Sequence, residues 1–242
     1  MRPIQSYYSN GILEAEGFLE GNLQVGSWAY YHENGGLYTK GQFNKQGIPS
    51  GIWTEYYSNG QKKYDAISEN GNCFLLSSDN LQILNYWNEE GENLIQKGEG
   101  TLTTYFDNGK VEHISTWLNN LKNGILQEFF GNGQLRIERN YKNGVKNGEG
   151  KIFHNSGNLY TQSFYQDGKP IKYYKEWYNN GQLCEEGFYK GGTYLIDNFW
   201  DETGEQSLIN GNGYVIKKDG LMGLDIYKQE YENYIMIKET RL

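Results

Sequence analysis

The chain has 242 residues, a formal charge of −8, 37% hydrophobic residues and a mean hydropathy of −0.80, so it lacks a thick aliphatic core and any run apolar enough to span a membrane as a helix. Its apolar matter is aromatic, 16% of the residues with 22 tyrosines, set among 32 glycines and only three prolines, which suits short strands and tight turns. Residues 1–100 carry 12 acidic and 6 basic side chains, which argues against nucleic acid or anionic lipid as main ligand and either points to a basic partner or serves solubility alone.

The opening residues Met1-Arg2-Pro3-Ile4-Gln5-Ser6 hold no apolar run, so neither signal peptide nor anchor is expected and the localisation reads as cytoplasmic. From Tyr7 onward a repeat dominates. An aromatic residue stands four positions before a glycine nine times: Tyr7, Tyr31, Tyr56, Trp87, Tyr105, Phe129, Phe153, Trp177 and Trp200, with Gly11, Gly35, Gly60, Gly91, Gly109, Gly133, Gly157, Gly181 and Gly204. Most of these glycines lie 23 to 25 residues apart, and six follow asparagine. Such a period marks a repeat array whose units bury surface against their neighbours. The expected fold is an all-β, elongated, twisted antiparallel β-meander of about nine hairpins in a single layer.

Asn-Gly between apolar arms favours a two-residue type I′ hairpin. That turn would set Tyr8 opposite Leu13, His32 opposite Leu37, Phe106 opposite Val111, Phe130 opposite Leu135, His154 opposite Leu159 and Tyr178 opposite Leu183. Period two adds Trp28, Trp53, Leu84, Leu102, Leu126 and Tyr174, seven before each glycine, to the same face as its core. The aromatics four before each glycine have the opposite parity and form a stripe on the other face. Stacking along the array would explain that stripe structurally; a partner-binding surface would explain it functionally, through Tyr7, Tyr31, Tyr56, Trp87, Tyr105, Trp177 and Trp200.

Between hairpins a second pattern recurs, clearest as Tyr141-x-x-Gly144-x-x-x-Gly148, with looser copies at Phe18/Gly21, Phe43/Gly47/Gly51, Trp117/Asn120/Gly124 and Tyr165/Gly168. These units resemble the bacterial variant of the MORN repeat found in the YwqK-type antitoxin family, over roughly residues 7–213 with the weakest fit between Tyr64 and Leu84. The resemblance implies an antitoxin or immunity protein that binds and occludes a toxin; the residues themselves imply only a binding surface.

A longer duplication overlies the short one. Asn85 to Glu92 is echoed by Asn198 to Glu205, and Gly98-Glu99-Gly100 by Gly211-Asn212-Gly213, at an offset of 113 residues. Acidic residues replace Asn-Gly in both, predicting longer, negatively charged tips. Glu89, Glu90, Glu92, Glu202 and Glu205 are candidates to engage lysine or arginine on a partner, or else they simply solvate two turns.

The chain reads as one array over 1–242: regular hairpins in 1–63, a divergent unit with an acidic turn in 64–100, regular hairpins in 101–213 and capping strands in 214–242. Residues 64–86, with Ser77-Ser78-Asp79-Asn80, break the period; Tyr214-Val215-Ile216 and Tyr234 to Ile237 read as terminal strands, with Lys217, Lys218 and Lys238 guarding the edge. No Walker loop, dinucleotide fingerprint, nucleophile elbow or zinc-protease motif appears. Cys73, Cys184, His32, His113 and His154 have no ligand spacing, so neither catalysis, cofactor nor metal is expected. The sequence favours a non-enzymatic protein-binding repeat, in its most concrete form one facing a basic toxin. A membrane-associated scaffold is disfavoured by the acidic charge, and a glycan- or cell-wall-binding module by the absent leader.

Overall fold

The computed structural model describes residues 1–68, 82–219 and 225–242; Cys73 and the Ser77 to Asn80 segment lie outside the described residues. No helix occurs among those described, and the fold is the expected all-β antiparallel meander. Its strands are β1 (Arg2–Tyr7), β2 (Leu13–Glu20), β3 (Leu23–Tyr31), β4 (Leu37–Phe43), β5 (Pro49–Tyr56), β6 (Lys62–Ser68), β7 (Gln82–Trp87), β8 (Asn93–Gln96) and β9 (Glu99–Tyr105). There follow β10 (Val111–Leu118), β11 (Leu121–Phe129), β12 (Leu135–Lys142), β13 (Val145–Phe153), β14 (Leu159–Gln166) and β15 (Lys169–Trp177). The series ends with β16 (Leu183–Lys190), β17 (Thr193–Trp200), β18 (Gln206–Ile209), β19 (Asn212–Asp219), β20 (Asp225–Glu232) and β21 (Ile235–Arg241). The residues form two compact units: Met1–Thr104 with Ile114–Gly124 and Lys142–Val145, and Tyr105–His113 with Ile125–Tyr141 and Lys146–Leu242.

The repeat hairpins differ from the type I′ expectation. Tyr8 N–H donates to Ile12 O and Gly11 N–H to Tyr8 O, both at 2.9 Å, so Ser9, Asn10 and Gly11 form a three-residue loop. The same two bonds recur at all nine repeat glycines. Gly11 has φ 82°, but none of the six preceding asparagines has positive φ, which excludes type I′. The loop is a type I turn closed by a left-handed glycine. Asparagine serves it differently: Asn10 Oδ1 accepts the Ile12 N–H at 3.0 Å, and Asn34, Asn59, Asn108, Asn132 and Asn180 repeat that bond.

The extra loop residue moves the register by one. Tyr7 faces Leu13, Tyr31 faces Leu37, Phe153 faces Leu159 and Trp177 faces Leu183. Tyr8, His32, Phe106, Phe130, His154 and Tyr178 instead donate their N–H to the residue directly after the glycine, so the six pairs expected from the sequence do not form. A bulge follows on the return strand, since Ser6 faces Ala15 while Tyr7 faces Leu13. The outgoing strand keeps its alternation, and the stripe stays opposite the core face.

Type I′ geometry appears in the other set of connections. Lys97-Gly98, Asn119-Asn120, Asn143-Gly144, Asp167-Gly168, Gly191-Gly192, Asn210-Gly211 and Asn233-Tyr234 have positive φ at both residues. Tyr234 is therefore a turn residue, with Ile235 to Ile237 in the terminal strand β21. The acidic loops are no longer than the rest: Gly91 N–H bonds Asn88 O, and Gly204 N–H bonds Asp201 O, each at 3.0 Å. What the duplication encodes is a short, tight strand. Asn85 and Asn198 Oδ1 accept the N–H of Lys97 and Asn210 at 3.1 and 3.2 Å. A Cβ on Gly100 or Gly213 would lie 2.2 Å from the carbonyl oxygen of Leu94 or Ser207.

The core residues seven before the glycines, Trp28, Trp53, Leu102 and Leu126, are buried as expected, whereas Leu84 and Tyr174 are half-buried. Leu84 stands at a bulge, between Asn85 facing Asp65 and Ile83 facing Ala66, so fully buried Ile83 takes its place. In the first unit Ala15, Trp28, Phe43 and Trp53 form one cluster, and Tyr64, Ala66, Ile83, Tyr86, Ile95, Leu102 and Trp117 another. The second unit packs Cys184, Ile196, Phe199, Leu208 and Val215. A thin sheet buries tryptophan by laying its ring over glycine: a Cβ on Gly17 or Gly41 would come within 2.3 and 2.1 Å of the Trp28 and Trp53 rings.

Candidate functional site

The nine stripe aromatics are none of them buried; Tyr7 and Tyr105 are 56% and 61% exposed and the others half-buried. In the first unit Tyr7, Tyr31, Tyr56 and Trp87 lie opposite the tryptophan core. That face holds a cleft of about 730 Å³ across β1 to β5. Its polar row is Gln5, Glu16, Lys40 and Thr54, and its apolar wall is Pro3, Phe18 and Ile52. Phe18 and Ile52 are 39% and 57% exposed, so the wall is available for contact.

The hydroxyls of Tyr7 and Tyr31 are tied into the polar row. Tyr7 donates to Gln5 Oε1 at 2.8 Å, Gln5 Nε2 to Glu16 Oε2 at 3.1 Å, and Tyr31 to Glu16 Oε1 at 2.7 Å. Hydrogen bonds from Tyr31, then Gln5, hold the Glu16 carboxyl below its ordinary value. The same bond, with burial, pushes the Tyr31 phenol up. Lys40 Nζ lies 5.7 Å from the Tyr56 ring centroid. Lys62 Nζ lies 5.1 Å from that of Trp87 while pairing with Asp65 Oδ2 at 3.2 Å, and Thr54 donates to Asp65 Oδ1 at 2.8 Å. The row can orient a polar or charged partner group beside partly exposed rings.

Tyr105, Phe129, Phe153, Trp177 and Trp200 belong to the second unit. At the corresponding positions there, Glu186 pairs with Lys175 at 2.8 Å, while Glu138 accepts from Gln127 at 2.9 Å as Glu16 does from Gln5. The core face of that unit carries a polar cluster. Lys217 pairs with buried Glu185 at 2.5 Å, Tyr194 donates to Glu185 at 2.9 Å, and Tyr174 to Glu176 at 2.6 Å. Burial pushes the Cys184 thiol up to about 11, which leaves it unreactive at neutral pH. Among the described residues no group of three or more His, Cys, Asp or Glu side chains could hold a metal ion.

Glu89, Glu90 and Glu92 are exposed on one hairpin of the first unit, and Glu202 and Glu205 on one of the second. Asn88 Oδ1 caps the Glu92 N–H at 2.7 Å, and Asp201 Oδ1 the Glu205 N–H at 2.9 Å. Sequence reasoning missed the polar row. Its signal was present as the recurrence of Gln5, Glu16, Lys40, Thr54 and Asp65 at alternating positions six before and five after successive repeat glycines.

The architecture is that of a repeat protein, with one hairpin per repeat and a shared sheet ladder within each unit. Residues 49–71, 98–119, 122–143, 146–171 and 172–190 match the MORN repeat variant, which supports reading the chain as a MORN-repeat protein. MORN repeats are in general protein- or membrane-binding modules without catalytic activity. No curated protein matches the chain. Of solved structures, "Crystal Structure of TcdB2-TccC3-Cdc42" matches at 12% identity and TM-score 0.21, over 95% of this chain and 15% of that one. "Crystal Structure of TcdB2-TccC3" matches at 10% identity and TM-score 0.16, over 99% of this chain and 16% of that one. At such scores the likeness bears on neither fold nor role.

Proposed function

We propose that the chain is a non-enzymatic scaffold that docks a protein partner on the striped face of its first unit. The observation that carries this reading is the row of Tyr7, Tyr31, Tyr56 and Trp87 beside an open cleft with an apolar wall. Partly exposed aromatic rings, those of Tyr7 and Tyr31 held in place by hydroxyl bonds, give contact area at small entropic cost, the composition of interface anchors. The acidic excess of residues 1–100, including the tips at Glu89, Glu90 and Glu92, would steer a basic partner. In its sharpest form the partner is a basic toxin, and the chain acts as its antitoxin by occlusion.

The test is affinity capture from the native lysate by wild type, by Tyr31→Ser with Tyr56→Ser, and by Glu202→Lys with Glu205→Lys, followed by hydrogen-exchange footprinting of the complex. A partner lost only in the tyrosine variant, with protection on β1 to β5, supports the reading. Protection confined to the second unit, or retention by the tyrosine variant, overturns it. Co-sedimentation with anionic vesicles in place of protein capture would transfer the role to a membrane.

A further inference from the structure

On the striped face, Trp87 takes part in a complete trio: Lys62 lies over the ring at 5.1 Å and pairs with the Asp65 carboxylate at 3.2 Å. Asp65 stands five residues after its repeat glycine, and so do Lys40 and Glu16. Each of these positions is followed by the stripe ring of the next repeat. At Tyr56 the chain supplies a cation from that position, with Lys40 Nζ 5.7 Å from the centroid. At Tyr31 it supplies a carboxylate instead, Glu16 bonded to the phenol at 2.7 Å. Glu16 makes no ion pair among the described residues; its partners are the neutral Tyr31 and Gln5. Ring and anion stand together there, with Glu16 lining the cleft and Tyr31 bonded to its carboxylate.

We propose that Glu16 and Tyr31 receive a lysine or arginine side chain from an extended partner segment, completing from outside the trio that Lys62 completes from within at Trp87. This rests on the docking reading above and names the chemistry of the docked group. Charge complementarity supports it, since residues 1–100 hold 12 acidic against 6 basic side chains. A cation between a carboxylate and an aromatic face gains from both. Lys40 occupies the same row, with Ala29 between it and Glu16. It repels a second cation and so favours a segment with one basic residue at this point.

The probe is a fluorescein-labelled peptide of alternating glycine and serine with one central arginine, measured by anisotropy at about 50 mM salt, where screening is modest. Glu16→Gln, which keeps side-chain hydrogen bonding, should weaken binding about fivefold or more, and Tyr31→Leu similarly, while Tyr31→Phe should cost less. Lys40→Gln should tighten binding, a gain that unfolding cannot produce. Glu239→Gln, on terminal strand β21, should change nothing. The proposal fails if wild type does not bind the peptide, or if Glu16→Gln and Glu239→Gln behave alike, which would leave only net-charge attraction. Because this assay contains no native partner, its failure leaves the capture and footprint result standing, and failure of that capture leaves the peptide result standing.

Discussion

Gly41 and Trp53 show how single residues set the stability of a thin sheet. Trp53 is 1% exposed, with its ring against Gly41, so Trp53→Ala should cost about 3–5 kcal/mol in urea denaturation. Lys62→Ala, which removes an ion pair with a side chain 42% exposed, should cost about 1 kcal/mol or less. Equal midpoints for the two would refute the assignment of the faces. Glycines divide in the same way. Gly60 has φ 85° with nothing within 4 Å of an added Cβ, so Gly60→Ala bears only the backbone penalty of about 1 kcal/mol. Gly41→Ala would place a methyl 2.1 Å from the Trp53 ring and should destabilise more, as parallel thermal melts would reveal. The aromatic-glycine pairing is legible in the sequence; the reason for each glycine is not, because one class serves φ and the other serves space.

At five of the nine repeats the residue three before the glycine joins its hairpin to the next. Tyr8 donates to Tyr31 O at 2.6 Å, Tyr57 to Trp87 O at 3.0 Å and Tyr178 to Trp200 O at 3.0 Å. His32 Nε2 lies 3.2 Å from Tyr56 O and His154 Nε2 2.9 Å from Trp177 O. A hydroxyl or an imidazole N–H fits this place equally, which explains why both tyrosine and histidine occur there. Each staple fixes the backbone of a stripe residue, so loosening it should disturb the striped face before the core. Tyr178→Phe should lose about 1 kcal/mol in chemical denaturation, whereas Phe130→Tyr, which adds the hydroxyl at the same repeat position, should gain up to about that amount. Loss of stability in Phe130→Tyr would show that the position there is closed by packing. The sequence displayed the aromatic character of this position but concealed its polar purpose, since the acceptor lies one whole repeat away.

Half-buried phenols give the molecule its expected response to alkali. Burial first, then a bond to Glu149, pushes Tyr173 up to about 12, and burial with nearby carboxylates raises Tyr174 and Tyr194 as well. Burial alone would lower Lys217, but the charge and bond of Glu185 outweigh it and the net direction is upward. A group raised on folding lends stability below its unfolded value and loses it as pH climbs through the folded one. Melting temperature should therefore hold steady from neutral pH to about 9 and fall between about 10 and 12. Phenolate absorbance should show exposed tyrosines ionising ahead of a second group that appears with unfolding; all 22 ionising together would contradict the burial described. By itself the sequence determined the class of fold, the period and the face on which the stripe lies, because these follow from alternation and from glycine at fixed intervals. Only the tertiary structure decided the turn type, the register and the pairing of Glu16 with Tyr31. One extra loop residue shifts the cross-strand neighbours beside each turn, and the bulge that follows restores the expected register beyond it, as Ser6 facing Ala15 shows; such local backbone choices leave no mark in a pattern of side-chain types.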